Sequence, residues 1–156
     1  MKSEAKKLLS NGVKVRFIGD RSKLEDPIIT LMNDLEVMTA ENDNLHLSIA
    51  VNYGGRDEIV RAAKKIAKKV KLGQINIEDI SAELFSNNLD TFDLPDPDLV
   101  IRTSGEMRTS NFLPWQCAYS EYIFEKSNWP DFNKAIYQEI LNNFKKRERR
   151  FGAVLK

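Results

Sequence analysis

Three apolar residues, Leu99-Val100-Ile101, run directly into Arg102 and then into a small polar loop, Thr103-Ser104-Gly105. The apolar run predicts a short buried strand. In an open parallel sheet, ligands collect beyond the carboxyl ends of the strands. An arginine placed there, straight after core residues, is costly to desolvate unless it meets an anion. Arg108 and Ser110 follow in the same loop. Two guanidiniums and several hydroxyls suit a diphosphate, because the planar fork matches phosphate oxygens. Glu121, on the next segment, offers a carboxylate for a divalent ion. Magnesium usually takes only one or two carboxylates besides substrate phosphates. A plainer alternative stands beside this reading: Arg102 and Arg108 as structural partners of Asp96, Asp98 or Glu106.

The chain is long enough for one domain with its own core, so residues 1–156 are expected to form a single domain. A net charge of +1 gives no global electrostatic case for nucleic acid. Cys117 is the only cysteine, which excludes an internal disulfide and fits a reducing, cytoplasmic compartment. Its place in an apolar stretch after Trp115 predicts a buried, inert thiol. No run approaches the ~20 apolar residues of a membrane span, and the first ten residues hold no signal-peptide core.

The remaining chain alternates strands with helices. Val13–Ile18 alternates apolar and basic residues, as a strand does. A helix is expected from after Ser22 to about Glu41, with Leu24, Ile28, Leu31, Leu35 and Met38 inward. Leu45–Val51 is a second strand. On it His46 alternates with Leu45, Leu47 and Ile49 and so faces away from them; without a second histidine it reads as a solvent-facing or satisfied side chain, not a metal ligand. Asn52-Tyr53-Gly54-Gly55-Arg56 joins this strand to a helix; a tight turn and a close backbone approach to a ligand are both open readings. In that helix Ile59, Ala62, Ala63, Ile66, Ala67 and Val70 form one face. Arg61, Lys64, Lys65, Lys68 and Lys69 form a solvated one. Asn76 caps a short helix to about Phe85. Phe112 to Tyr119 reads as a short helical turn and Tyr122–Phe124 as the last strand. A final helix capped by Asp131 is expected to reach about Arg150. The fold class is therefore α/β: a mostly parallel sheet of about four strands covered by helices.

Seven blocks, in order, carry a resemblance. They are Asn52-Tyr-Gly-Gly-Arg56, Asp98-Leu-Val-Ile-Arg-Thr103, Arg108-Thr-Ser-Asn-Phe-Leu113, Trp115-Gln116, Ala118-Tyr-Ser-Glu-Tyr122, Trp129-Pro-Asp-Phe132 and Arg147-Glu-Arg-Arg-Phe-Gly152. Together they resemble the cis-prenyltransferases, the family of the bacterial undecaprenyl diphosphate synthases, over about residues 11–152. Seven ordered blocks are far more specific than any one motif.

The resemblance implies a homodimeric, magnesium-dependent enzyme. It would condense isopentenyl diphosphate with an allylic diphosphate such as farnesyl diphosphate, giving a lipid-associated product, a carrier of cell-wall assembly. It implies a cytoplasmic location, membrane-peripheral at most. By position, Arg102, Arg108, Thr109 and Ser110 would hold the diphosphate of isopentenyl diphosphate. Glu121 would contribute to the magnesium site, from the neighbouring subunit. Arg150 and Gly152 match an Arg-x-Gly element that reaches across the dimer to substrate.

Two positions depart from the family pattern. Met107 stands where a histidine is usual, and a thioether cannot replace imidazole toward a hard metal or phosphate. The Asp-Gly-Asn block, whose aspartate holds magnesium and the allylic diphosphate, occurs nowhere in the chain. The expectation is a truncated cis-prenyltransferase fold, the C-terminal portion of a synthase, inactive in elongation on its own and completed by a separate N-terminal fragment or a second subunit. An unpaired sheet edge and uncovered apolar helix faces are expected with it. The rival expectation is a non-catalytic partner subunit of a cis-prenyltransferase complex.

Overall fold

The computed structural model describes residues 2–147. Contacts divide the chain into two compact units, residues 1–93 and 94–156.

The first unit opens with α1 (Lys2–Ser10) and β1 (Val13–Ile18). A 3-10 turn (Arg21–Lys23) leads into α2 (Asp26–Met38), followed by β2 (Leu45–Ala50) and α3 (Gly55–Lys71). β1 and β2 pair in parallel, Val13 opposite Leu45 through Ile18 opposite Ala50. The crossover between them is α2, the connection a parallel pair requires. Val13, Val15, Ile18, Met32, Ala62, Ile66 and Leu89 are buried in this unit.

α2 is shorter than expected and presents a different side to the strand. Pro27 sits in its first turn, where a missing N–H costs nothing. Ile28, Leu31 and Met38, expected inward, are exposed, while Met32 and Thr39 are buried. The reason lies in β1, whose free edge needs acceptors. The Val15 N–H donates to Thr39 Oγ1 (3.0 Å) and the Phe17 N–H to Glu36 Oε1 (2.8 Å). A helix bound by its polar groups cannot also turn its apolar stripe inward.

α3 buries Gly55, Glu58, Ala62 and Ile66, while Ala63 and Ala67 are exposed. The segment expected as one helix from Asn76 is two pieces. A 3-10 turn (Ile77–Asp79) ends at the extended Ile80, and α4 (Ala82–Ser86) starts afresh with Ser81 as its N-cap. His46 is exposed on β2 and its Nε2 lies 2.8 Å from Asp43, as a satisfied surface histidine.

The second unit holds β3 (Leu99–Arg102), β4 (Glu121–Phe124), a 3-10 turn (Trp129–Asp131) and α5 (Lys134–Lys145). β3 and β4 pair in parallel, Leu99 opposite Glu121 through Arg102 opposite Phe124. The four strands thus pair two by two, among the described residues, and not as one four-stranded sheet. Periodicity marks a strand but does not name its neighbour. Residues 112–119 are a chain of turns, not a helix. Asn133, not Asp131, caps α5, its Oδ1 accepting from the N–H groups of Ala135 and Ile136. The expected helix end near Arg150 lies outside the described residues.

Candidate functional site: two arginines at the end of β3

Side chains two apart on a strand share a face. Val100 and Arg102 therefore point to one side of β3, with Tyr122 and Phe124 opposite them on β4. These four, with Ile101, Arg108, Thr109 and Phe112, line a cavity of about 200 Å³. That is smaller than the ~300–1,000 Å³ of a typical small-molecule pocket, and suits a compact head group. Its lining is aromatic and aliphatic but for Arg102, Arg108 and Thr109.

The loop that brings Arg108 back over β3 is held by its backbone. The Ser104 N–H donates to the Ser127 carbonyl (2.8 Å) and the Gly105 N–H to that of Glu125 (2.9 Å). Glu125 is fixed in turn, its carboxylate accepting from the Ser127 N–H and hydroxyl. Those bonds hold its carboxyl below the usual range. Ser104, Gly105, Ser110, Asn111 and Leu113 all have positive φ, between 46° and 66°. Such angles are uncommon outside glycine and concentrate at binding sites. Below the loop, burial and the adjacent Cys117 thiol push the Tyr122 phenol up. Cys117 itself is buried, as its apolar setting predicts.

The predicted site residues fall into three groups. Arg102, Arg108 and Thr109 meet at the cavity. Ser110 follows on the exposed, left-handed part of the same loop. Both arginine readings are partly realised: Arg108 pairs with Glu106, yet it also lines the cavity. Arg102 is half-buried and, among the described residues, has no acidic partner.

Glu121 stands apart from the cavity walls. Its Oε2 lies 2.7 Å from Arg147 Nη1, which also approaches the Tyr122 carbonyl. Among the described residues no three acidic, histidine or cysteine side chains cluster for a metal. A lone carboxylate held by a guanidinium does not fit a magnesium site built from these residues alone. Arg150 and Gly152 lie outside the described residues.

Three lining residues escaped the sequence reading: Phe112, Tyr122 and Phe124. The alternation of Tyr122 and Phe124, opposite Val100 and Arg102, was the available signal.

The Asn52–Arg56 segment proves to be a turn tied to its neighbour. Asn52 Nδ2 donates to the Asp20 carbonyl (2.8 Å), and the Asp20 N–H to that of Asn52 (3.2 Å). Gly19, at φ 120°, fits because a Cβ there would lie 2.1 Å from the Val51 carbonyl oxygen. Beneath these turns lies a charged network. Arg61 makes two 2.7 Å bonds to Asp90, whose Oδ2 also accepts from the Gly19 N–H. The Asp90 N–H donates to Glu58, and Glu58 takes the Tyr53 hydroxyl at 2.6 Å. Glu58 is only 1% exposed. Its place four residues before Ala62 and eight before Ile66 marked it for the buried face. Burial alone would raise the Asp90 carboxyl; the bonds and charge of Arg61 outweigh it and hold the group below the usual carboxylate range.

Known proteins share this sequence and fold. A family model described as putative undecaprenyl diphosphate synthase matches residues 1–152. The isoprenyl transferase of Brucella abortus is 54% identical over 144 residues, covering 92% of this chain and 57% of that protein. The isoprenyl transferase of Bacillus subtilis is 49% identical over 147 residues, covering 94% and 56%. Among solved structures, lavandulyl diphosphate synthase from Lavandula x intermedia, in complex with dimethylallyl diphosphate, superposes with a TM-score of 0.93. It is 36% identical, covering 97% of this chain and 66% of that one. A probable undecaprenyl diphosphate synthase from Campylobacter jejuni gives 0.85 at 36% identity, covering 97% and 69%. The chain spans less than two thirds of the length of these curated relatives.

Proposed function

The chain belongs to the undecaprenyl diphosphate synthase family of prenyltransferases, and on that premise we propose that the cavity at the end of β3 binds the diphosphate of isopentenyl diphosphate. The cavity itself carries the reading: two arginines and three aromatic residues line one pocket at the carboxyl end of a parallel strand. Arg102 and Arg108 supply charge-assisted donors, each worth about 1.5–3 kcal/mol when the partner is ionised. The Thr109 and Ser110 hydroxyls add neutral donors. Phe112, Tyr122 and Phe124 offer apolar surface to the isoprenoid carbons.

The reaction this serves is the cis-condensation of isopentenyl diphosphate with an allylic diphosphate such as farnesyl diphosphate. Asp-Gly-Asn, the block to which the resemblance assigns the allylic group and its magnesium, does not occur in the 156 residues. On this reading the chain assayed by itself binds isopentenyl diphosphate without elongating it. Elongation takes place where a complementing chain that carries this block brings in the allylic seat, since a homodimer of these 156 residues lacks it in both copies. Glu121, Arg150 and Gly152 belong to the contacts of that assembly. Retention of Arg102, Arg108 and Thr109 around one cavity favours this over a non-catalytic partner subunit, which has no need of a substrate pocket. Among the described residues no helix is long and apolar enough to cross a membrane.

Calorimetric titration of isopentenyl diphosphate into the chain tests the reading. Saturable binding is expected, weakened at least tenfold in Arg102→Ala and in Arg108→Ala. Equal affinity in both variants and the wild type refutes it.

A further inference from the structure

Arg108 is already engaged, by an ion pair with Glu106 two residues earlier. The two residues lie in one loop, separated only by Met107, so the pair forms locally. The stretch is also pinned: Ser104 and Gly105 are bonded to residues 125–127 before it, and the Phe112 N–H closes onto the Thr109 carbonyl after it. Glu106 can leave Arg108 by side-chain rotation alone.

We propose that Glu106 is a built-in competitor for the diphosphate. In the empty site its carboxylate takes the place on Arg108 that a phosphoryl group takes in the loaded one, and binding releases it. The inference rests on the diphosphate reading of the Arg102–Arg108 cavity. Exposure sets its strength. The Glu106 and Arg108 side chains are 38% and 66% exposed. A wet ion pair of this kind is weak and yields to a stronger anion. A diphosphate carries more charge than a carboxylate and can engage both arginines at once. A singly charged carboxylate offers Arg108 nothing that Glu106 does not. Glu106 thus selects for ligands of high charge density, and keeps Arg108 in a fixed place while the site is empty.

The test is a double-mutant cycle on the full chain, with pyrophosphate as the probe at low ionic strength. Glu106→Gln is expected to bind pyrophosphate about two- to fivefold more tightly than wild type, the range an exposed pair can hold back. In an Arg108→Gln background the same change is expected to have no effect, because nothing is left to compete for. Unchanged affinity in Glu106→Gln, with clear loss in Arg108→Gln, overturns the role of Glu106 alone. An equal gain in both backgrounds also overturns it, since general repulsion then replaces competition. Failure of pyrophosphate to bind the wild type, or indifference to both Arg102→Gln and Arg108→Gln, overturns the diphosphate reading and this inference with it. Far-UV circular dichroism and melting of each variant show that the fold is kept.

Discussion

Both units place arginines near strand ends, and use them in opposite ways. In the first, Arg61 is 25% exposed and fully engaged by Asp57 and Asp90, with the buried Glu58 and Tyr53 completing the network. In the second, Arg102 lines an open cavity and Arg108 holds one loose surface pair. Residue type alone therefore assigns no role. Burial and partners do, since a guanidinium spent on internal carboxylates is structure, and one facing a cavity is available to a ligand.

The sharpest way to break this contrast is to remove a member of the first network. Glu58→Ala removes the acceptor of the half-buried Tyr53 hydroxyl and of the Asp90 N–H. Urea unfolding is expected to show a loss of roughly 2–6 kcal/mol, at about 1–3 kcal/mol for each unsatisfied group. A wild-type midpoint there erases the distinction between the units.

The converse comes next. Arg108→Ala is expected to change stability by no more than about 0.5 kcal/mol, as exposed substitutions do. Its cost falls on diphosphate affinity, about 10–100-fold by titration calorimetry. A large drop in melting temperature instead makes Arg108 structural too.

Acid sensitivity separates the units more gently. The Asp90 carboxyl is depressed in the folded chain, so its stabilising contribution is present above the unfolded value near 3.9 and is lost as pH falls through the folded value. Wild type is expected to lose stability steeply below about pH 4, and Asp90→Asn to show a flatter limb from a lower plateau. Coincident pH profiles count against an ionised Asp90–Arg61 pair.

The smallest effect belongs to the Glu121–Arg147 pair, exposed at 31% and 43%. Arg147→Ala is expected to lower stability by about 0.2–1 kcal/mol, less still at high salt. A loss several times larger makes the pair a structural anchor of α5.

Much of this was legible in the residues. The alternation of Val13–Ile18 gave the strand, and Leu99–Ile101 ending in Arg102 gave both a strand and the place of the site. Arg108 and Thr109 then fell beside it. The loop geometry was not legible, because Ser110, Asn111 and Leu113 carry no signal for positive φ as strong as glycine's. Nor was the inward side of α2, where two amides of β1 outweighed an apolar stripe. Glu58 was not singled out for the interior, although its spacing from Ala62 and Ile66 marked it for burial. The pairing of Glu121 with Arg147 could not be read at all, since 26 residues separate them.

Thr39 and Glu36, which accept the amides of Val15 and Phe17, have one more consequence. An open β-edge is a template on which another chain can crystallise a strand of its own. Here two of the donors that such a guest needs, the Val15 and Phe17 N–H groups, are already answered by side chains. Fibril growth at that margin is expected to be slowed by these two side chains, Glu36 on α2 and Thr39 at its end, and Thr39→Val with Glu36→Leu is expected to reopen it.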